Sequence, residues 1–321
     1  MAQFGYTLMC EQSGPRELVR DAARAEAAGF AFEVISDHYF PWLDSQGHAP
    51  NAWTTLGAIA HATESVELMT YVTCPTIRYH PAVVAQQAAT LSLLSDNRFL
   101  LGLGAGENLN EHIVGRGWPP VDVRHEMLTE AVEIIDRLFT GDYVSYRGDH
   151  FQVDSARLWD VPDRRTPMGI AVSGAQSTAL AGRYADAMIA VEPDPALGAQ
   201  FDAAGGAGKR RIGQVPISWD ASRSRAIDRA HDQFRWFGGG WKVNSELPGT
   251  AAFAAASQFV TRENIAEAIP CGPELEDHLA AVKKFVAAGF TDIAVVQIGG
   301  DTQPKFLDWA ERELVPALST L

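Results

Sequence analysis

The sequence predicts a (β/α)8 TIM barrel with insertion loops at its C-terminal mouth, and three observations carry that expectation. Short apolar runs alternate with longer stretches of helical period, the pattern of parallel strands joined by crossover helices. Eight such runs occur, the number a closed barrel needs. The first run is not followed by the GxGxxG turn that a rival doubly wound open sheet calls for. A length of 321 residues suits one such unit, so residues 1–321 are read as a single domain.

The expected strands are Phe4 to Met9, Phe32 to Ser36, Glu67 to Thr73, Arg98 to Leu103, Met168 to Val172, Ala187 to Val191, Val215 to Trp219 and Asp292 to Gln297. Amphipathic stretches lie between them at Pro15 to Ala28, Pro81 to Leu94, Arg124 to Phe139, Gln176 to Tyr184, Ser222 to Phe234, Glu274 to Ala288 and Pro304 to Leu318. Two of these end in Ala-Ala-Gly-Phe, at Gly29 and Gly289, where glycine can take the left-handed conformation that stops a helix. Three regions exceed one strand and one helix per unit: Tyr39 to Trp53, Asp194 to Gln214 and Phe237 to Pro273. Barrel insertions of this kind gather at the C-terminal mouth, which makes them candidate substrate lids.

Composition narrows the partners. A net charge of −14 opposes binding to phosphate backbones, and the one dense basic cluster, Lys209-Arg210-Arg211, reads as a solvated loop. No apolar run reaches the roughly 18 residues of a membrane span, and the first residues lack the pattern of a signal peptide. Cys10, Cys74 and Cys271 are odd in number and far apart, so neither a disulfide framework nor a metal-binding spacing is expected. The expectation is a cytoplasmic protein acting on a small molecule, with no nucleic acid, membrane or metal involved.

Chemistry-bearing residues collect at expected strand ends. Asp37 and His38 follow the second run, with Trp42 close behind; an imidazole there can exchange protons near neutrality beside an orienting carboxylate. Asp37 could equally cap the next turn and His38 be an ordinary loop residue. The segment Gly102-Leu103-Gly104-Ala105-Gly106-Glu107-Asn108-Leu109-Asn110-Glu111 follows the fourth run. Its glycines allow backbone to approach a flat ligand or simply serve a tight turn, and it lacks the Gly-Lys-Ser/Thr of a triphosphate loop. Glu107 is a second proton donor or acceptor there, and Asn110 offers an amide donor and acceptor. Ser173, Gly174, Gln176 and Ser177 begin a helix, where free N–H groups suit an anion, although Ser173 could be only a helix cap. Glu11 ends the first run, as a site carboxylate or an exposed cap. Of Trp42, Trp53, Trp118, Trp236 and Trp241, only Trp42 is assigned to the pocket.

These pieces, taken together, resemble the deazaflavin-dependent glucose-6-phosphate dehydrogenase group of the bacterial luciferase-like superfamily. The matching motifs are Glu11-Gln12 with Pro15-Arg16-Glu17-Leu18, Ser36-Asp37-His38 with Pro41-Trp42 and Gly47-His48-Ala49-Pro50, Pro75-Thr76 with Arg78-Tyr79 and Pro81-Ala82-Val83, and Gly102 to Glu111. Ala181-Gly182-Arg183 and Leu314-Val315-Pro316 extend the match along the chain. The resemblance implies a homodimer and the 8-hydroxy-5-deazaflavin coenzyme F420 in the barrel mouth. It implies coenzyme contacts from Asp37, Cys74, Ala105, Gly106, Asn110, Ser173, Gly174, Gln176 and Ser177, and from Tyr71 and Val72 through a non-proline cis peptide.

The resemblance also implies roles in hydride transfer. His38 takes the hydroxyl proton, Glu107 serves the coenzyme side as an acid, and Trp42 and Glu11 hold substrate and intermediate. One base beside the substrate and one acid beside the coenzyme is consistent chemistry for carbinol oxidation. The substrate end departs from the family pattern. Of the two lysines and the arginine that hold a sugar phosphate there, one lysine position is Lys242, beside Val243 where the pattern has histidine. The other falls near Asp194 with Glu192 close by, and the arginine falls near Ala266 or Glu267. Acidic groups oppose a dianion, so the expected substrate is an uncharged alcohol or carbonyl touching Trp42, Val191, Lys242 and Val243. Glucose 6-phosphate oxidation, an FMN-dependent monooxygenase on the same fold, and a non-catalytic coenzyme carrier are the alternatives.

Overall fold

The computed structural model describes residues 2–321. Among these, eight parallel strands close into a barrel: β1 (Gln3–Leu8), β2 (Phe32–Ile35), β3 (Glu67–Thr70), β4 (Phe99–Leu103), β7 (Met168–Ala171), β8 (Ala187–Ala190), β9 (Arg210–Ile217) and β10 (Asp292–Gln297). The remaining two, β5 (Val144–Arg147) and β6 (Gln152–Ala156), form an antiparallel hairpin outside it. Each barrel strand pairs with its sequence neighbour in the barrel, and β1 closes the ring against β10 through Gln3 opposite Asp292.

Side chains alternate along the strands, which sorts them into two cores. Phe32, Val34, Met69, Leu100, Ala187, Ile189, Ile212 and Ala294 fill the barrel interior. Their neighbours, such as Ile35, Leu68, Leu101, Ile170, Met188 and Val295, face the helices. The helices present matching stripes. In Pro15–Ala27, with proline in its first turn, Leu18, Ala22 and Ala25 are buried at spacings of three and four residues. Gly29 and Gly289 stop their helices with φ of 94° and 84°, as the Ala-Ala-Gly-Phe motifs predict.

Several boundaries differ from the sequence expectation. Asp194 to Gln214 is no insertion: it holds the crossover helix Pro195–Phe201 and the first half of β9, so β9 starts at Arg210 rather than Val215. Consequently Arg210 and Arg211 lie in a strand, not in a solvated loop. Arg210 pairs with Glu67 and Asp292 at the N-terminal ends of β3 and β10, at 2.7 Å each, and Lys209 donates to the Gly182 carbonyl. Charge disguised this strand, because a residue at a barrel floor can carry an ion pair and still hydrogen-bond as sheet. β3 ends at Thr70, with Thr73 reduced to an isolated bridge to Leu103. The helix Ala52–Ala62 and the β5–β6 hairpin had no expected counterpart.

The segment after residue 237 does behave as a cover. Short helices at Trp241–Asn244, Thr250–Ala256 and Arg262–Ala268 carry Phe253, Ile265 and Ile269 into a separate core with Met9, Trp42, Leu109 and Phe234. Since Met9 and Leu109 follow β1 and β4, that core lies over the C-terminal mouth. No helix among the described residues is long and apolar enough to cross a membrane, and no group of three or more metal-ligating side chains occurs.

Candidate active site

Three strand ends bring one imidazole between two carboxylates. His38 follows β2, Glu11 follows β1 and Glu107 follows β4, and all three are buried. His38 Nδ1 lies 2.7 Å from Glu11 Oε1, and Nε2 lies 2.8 Å from Glu107 Oε1. An ionised carboxylate only accepts, so two such contacts at one ring favour the imidazolium, with a proton on each nitrogen. Burial works against that charge, but Glu11 and then Glu107 outweigh it and hold His38 well above its usual value. Burial likewise works against the Glu11 carboxylate, yet His38 and the Ser36 hydroxyl keep it below the usual range. The readings of Glu11 as an exposed cap and His38 as an incidental loop residue are therefore wrong.

The carboxylates are themselves oriented. Ser36 Oγ donates to Glu11 Oε2 at 2.7 Å and accepts from the Cys10 N–H at 3.1 Å. Asn110 Nδ2 donates to Glu107 Oε1 at 2.9 Å, while its Oδ1 accepts from the Tyr39 and Phe40 N–H groups. Asn110 thereby links the β2 and β4 loops. Glu107 Oε2 is buried and has no protein partner, which leaves one acceptor atom of the site free for a ligand or water.

Asp37 does not cap a turn. Its Oδ2 accepts from Thr73 Oγ1 at 2.8 Å, and its Oδ1 and carbonyl accept from Arg78 Nη2 at 3.2 and 2.7 Å. Arg78 also faces Glu111, whose Oε2 accepts the Arg78 N–H at 2.7 Å; burial pushes the Glu111 carboxyl up to about 7 despite that guanidinium. Nothing in the sequence motifs that contain Arg78 and Glu111 assigns either a role. A conspicuous arginine within a motif gives no sign of which carboxylates it will meet.

The glycines of the β4 loop divide in function. A Cβ at Gly102 would come within 1.9 Å of the Thr70 carbonyl oxygen, so this glycine serves strand packing. Gly106 has φ of 82°, and a Cβ there would sit 2.4 Å from Cys74 Sγ. Ala105 and Gly106 are half-buried beside Cys74, which contacts Thr76 Oγ1 at 2.9 Å. The Tyr71–Val72 peptide is cis, as the family resemblance implies.

At the next strand end, Gly174 caps the helix Ala175–Tyr184 with its backbone, so Ser173 is not the cap. Ser177 Oγ instead accepts from the Ser173 N–H at 3.1 Å, folding the turn tightly. Gln176 is exposed and bonds His125 and Asp122. A Cβ at Gly174 would meet nothing within 4 Å, leaving open space in front of the helix.

The aromatic wall is larger than the single tryptophan expected. Trp42 stands edge-on to His38, with centroids 4.9 Å apart, stacks on Trp236 at 4.1 Å and meets Phe253 edge-on at 5.0 Å. Trp236 lies some 190 positions away in sequence, so nothing local announces the pairing. The expected substrate contacts Val191, Lys242 and Val243 are all exposed, as are Glu192 and Asp194, the latter capping its helix through the Ala196 N–H. The structure gathers Glu11, Asp37, His38, Trp42, Glu107 and Asn110 into one buried site, whereas Val191, Lys242 and Val243 face solvent.

The model of the luciferase-like monooxygenase family matches residues 2–292. An F420-dependent glucose-6-phosphate dehydrogenase of Microbacterium testaceum is 33% identical over 98% of this chain and 97% of its own length. An F420-dependent hydroxymycolic acid dehydrogenase of Mycobacterium tuberculosis is 36% identical over 89% of this chain and 80% of its own. The solved structure of an F420-dependent secondary alcohol dehydrogenase in complex with an F420–acetone adduct superposes with a TM-score of 0.88. It shares 27% identity and covers 97% of this chain and 96% of its own.

Proposed function

The chain belongs to the luciferase-like monooxygenase family, and from that premise we propose that it is an F420-dependent oxidoreductase moving a hydride between an uncharged alcohol or carbonyl compound and the deazaflavin. The observation that carries this reading is the His38 imidazole bracketed by Glu11 and Glu107 beside the Trp42 wall. The residues suit the coenzyme. The Gly106 turn against Cys74, the Tyr71–Val72 peptide and Gly174, where a Cβ would meet nothing within 4 Å, follow the neighbouring strands β4, β3 and β7. Asp37, Ala105, Asn110, Ser173, Gln176 and Ser177 complete the proposed cradle.

The bound deazaflavin supplies the two-electron acceptor or donor. The protein supplies the proton at His38 Nε2. Glu11 Oε1, 2.7 Å from Nδ1, stands on one side of the ring while Nε2 meets Glu107 on the other, so the exchangeable proton sits between His38 and Glu107. In carbonyl reduction the imidazolium gives its Nε2 proton to the forming alkoxide. In alcohol oxidation that proton must first pass to Glu107 Oε1, 2.8 Å away, before Nε2 can accept the hydroxyl proton. Trp42, Trp236 and Phe253 exclude water from that exchange and favour an apolar substrate body.

Glu192 and Asp194 at the rim argue against a phosphate dianion, as does the exposed setting of Lys242. Titrating the protein with oxidised F420 and then screening primary alcohols, secondary alcohols and glucose 6-phosphate for coenzyme reduction tests the reading. Preference for glucose 6-phosphate overturns the substrate assignment. Oxygen consumption with reduced FMN and no F420 binding overturns the coenzyme assignment. A homodimer is part of the proposal, checked by light scattering.

A further inference from the structure

We propose that Glu246 is a positioning residue that clasps the 236–249 cover onto the catalytic loop, acting through Arg124, Trp118 and Asn108; the kinetic part of this rests on the reading above. Glu246 Oε1 accepts from Arg124 Nη2 at 2.7 Å, and Oε2 accepts from the Trp118 indole N–H at 2.9 Å. The Arg124 guanidinium also lies over the Trp118 ring, 4.1 Å from its centroid. The same turn is stitched to the active site by backbone. The Asn108 N–H donates to the Ser245 carbonyl at 2.9 Å, and Asn108 Nδ2 donates to the Glu246 carbonyl at 3.0 Å. Asn108 is the residue after Glu107, and Trp236 at the other end of the cover stacks on Trp42.

Charge makes the clasp directional. The Arg124 side chain is only 4% exposed, its Nε and Nη1 have no partner, and Glu246 is the one carboxylate paired with it among the described residues. Lifting the cover therefore leaves a buried guanidinium without its counter-charge, which strongly favours the seated position. Glu246 itself is half exposed, so solvent can take over its side of the pair and the clasp stays releasable. Seating the cover thus fixes both the Trp236 wall and the peptide that carries Glu107.

The test uses the F420-loaded protein with E246A, E246Q and W118F, the last keeping the ring under Arg124 while removing the indole donor. Hydrogen–deuterium exchange of residues 236–249 is read by mass spectrometry, alongside coenzyme affinity and alcohol kinetics. The expected result is exchange in the cover accelerated about tenfold in E246A, with smaller increases in E246Q and W118F. Substrate KM should rise several-fold while coenzyme affinity stays within about twofold. Exchange in folded E246A or E246Q equal to that of the parent overturns the proposal. So does a fall in coenzyme affinity matching the rise in KM, which marks general disruption. If E246A does not fold, E246Q and W118F decide on the same criteria. Since exchange needs no turnover, a failure of the alcohol assignment remains separable from a failure of the clasp.

Discussion

The two ends of the pocket are built differently. At the strand ends, Glu11, His38, Asp37 and Glu107 are buried, and each is joined to another side chain by an ion pair or a hydrogen bond. At the rim, Val191 is 40% and Val243 47% exposed, and Glu192 faces solvent. The buried end tolerates little change, because removing any member strands a desolvated charge. The rim can be exchanged at small cost. Divergence of substrate within one chemistry is the outcome such a division permits.

The largest expected effect separates the two ends most sharply. His38→Ala should lower kcat by roughly 10²–10⁴-fold, the usual worth of a general acid–base group. Coenzyme affinity should change little, and an equilibrium titration beside steady-state kinetics reads both. A kcat within tenfold of the parent removes His38 from proton transfer.

Gly106→Ala comes next, since the new methyl meets Cys74 at a positive φ. Destabilisation of about 1–3 kcal/mol is expected from strain of this kind, together with weaker coenzyme binding. Denaturant melts and F420 titration measure the two effects. Arg78→Ala should cost a similar or larger amount, about 3–5 kcal/mol, because it leaves Asp37 and Glu111 buried without their shared cation.

The pH profiles sharpen the comparison without mutation. With the His38 value raised above 6.5, the imidazolium persists at neutral pH and is lost only as pH climbs through the raised value. Its contribution to stability follows the same course, complete below 6.5 and lost on the alkaline side. Carbonyl reduction, which consumes the Nε2 proton, should hold through neutrality and fall on the alkaline limb, while alcohol oxidation rises over that limb. Reduction already falling through pH 6.5 contradicts the bracketed imidazolium. The smallest effect belongs to the rim: Val243→Ser should shift kcat/KM for a small alcohol by less than about fivefold, near the worth of one lost apolar contact.

How much was legible in the sequence follows the same division. Seven barrel strands were readable nearly to their ends, because each is a short apolar run closed by a turn. β9 was shortened by its charged start, since Arg210 and Arg211 look like loop residues until their partners Glu67, Asp292 and Asp202 arrive from elsewhere. Asp37, His38 and Glu107 were legible as polar residues at strand ends, and their family motif supplied roles. What sequence could not supply was partnership across distance: Trp236 on Trp42, Arg78 between Asp37 and Glu111, Arg124 under Glu246. Each joins residues that the fold brings together from different strand–helix units.

Barrel closure has one more consequence, seen at the opposite end from the chemistry. Arg210 on β9 reaches Glu67 on β3, which stands across the ring, and Asp292 on β10. This three-way ionic bolt, with the packed interior above it, makes the barrel a cup rather than a tube. The packed interior stands between this bolt and the strand-end site, so the floor serves stability and the mouth serves chemistry.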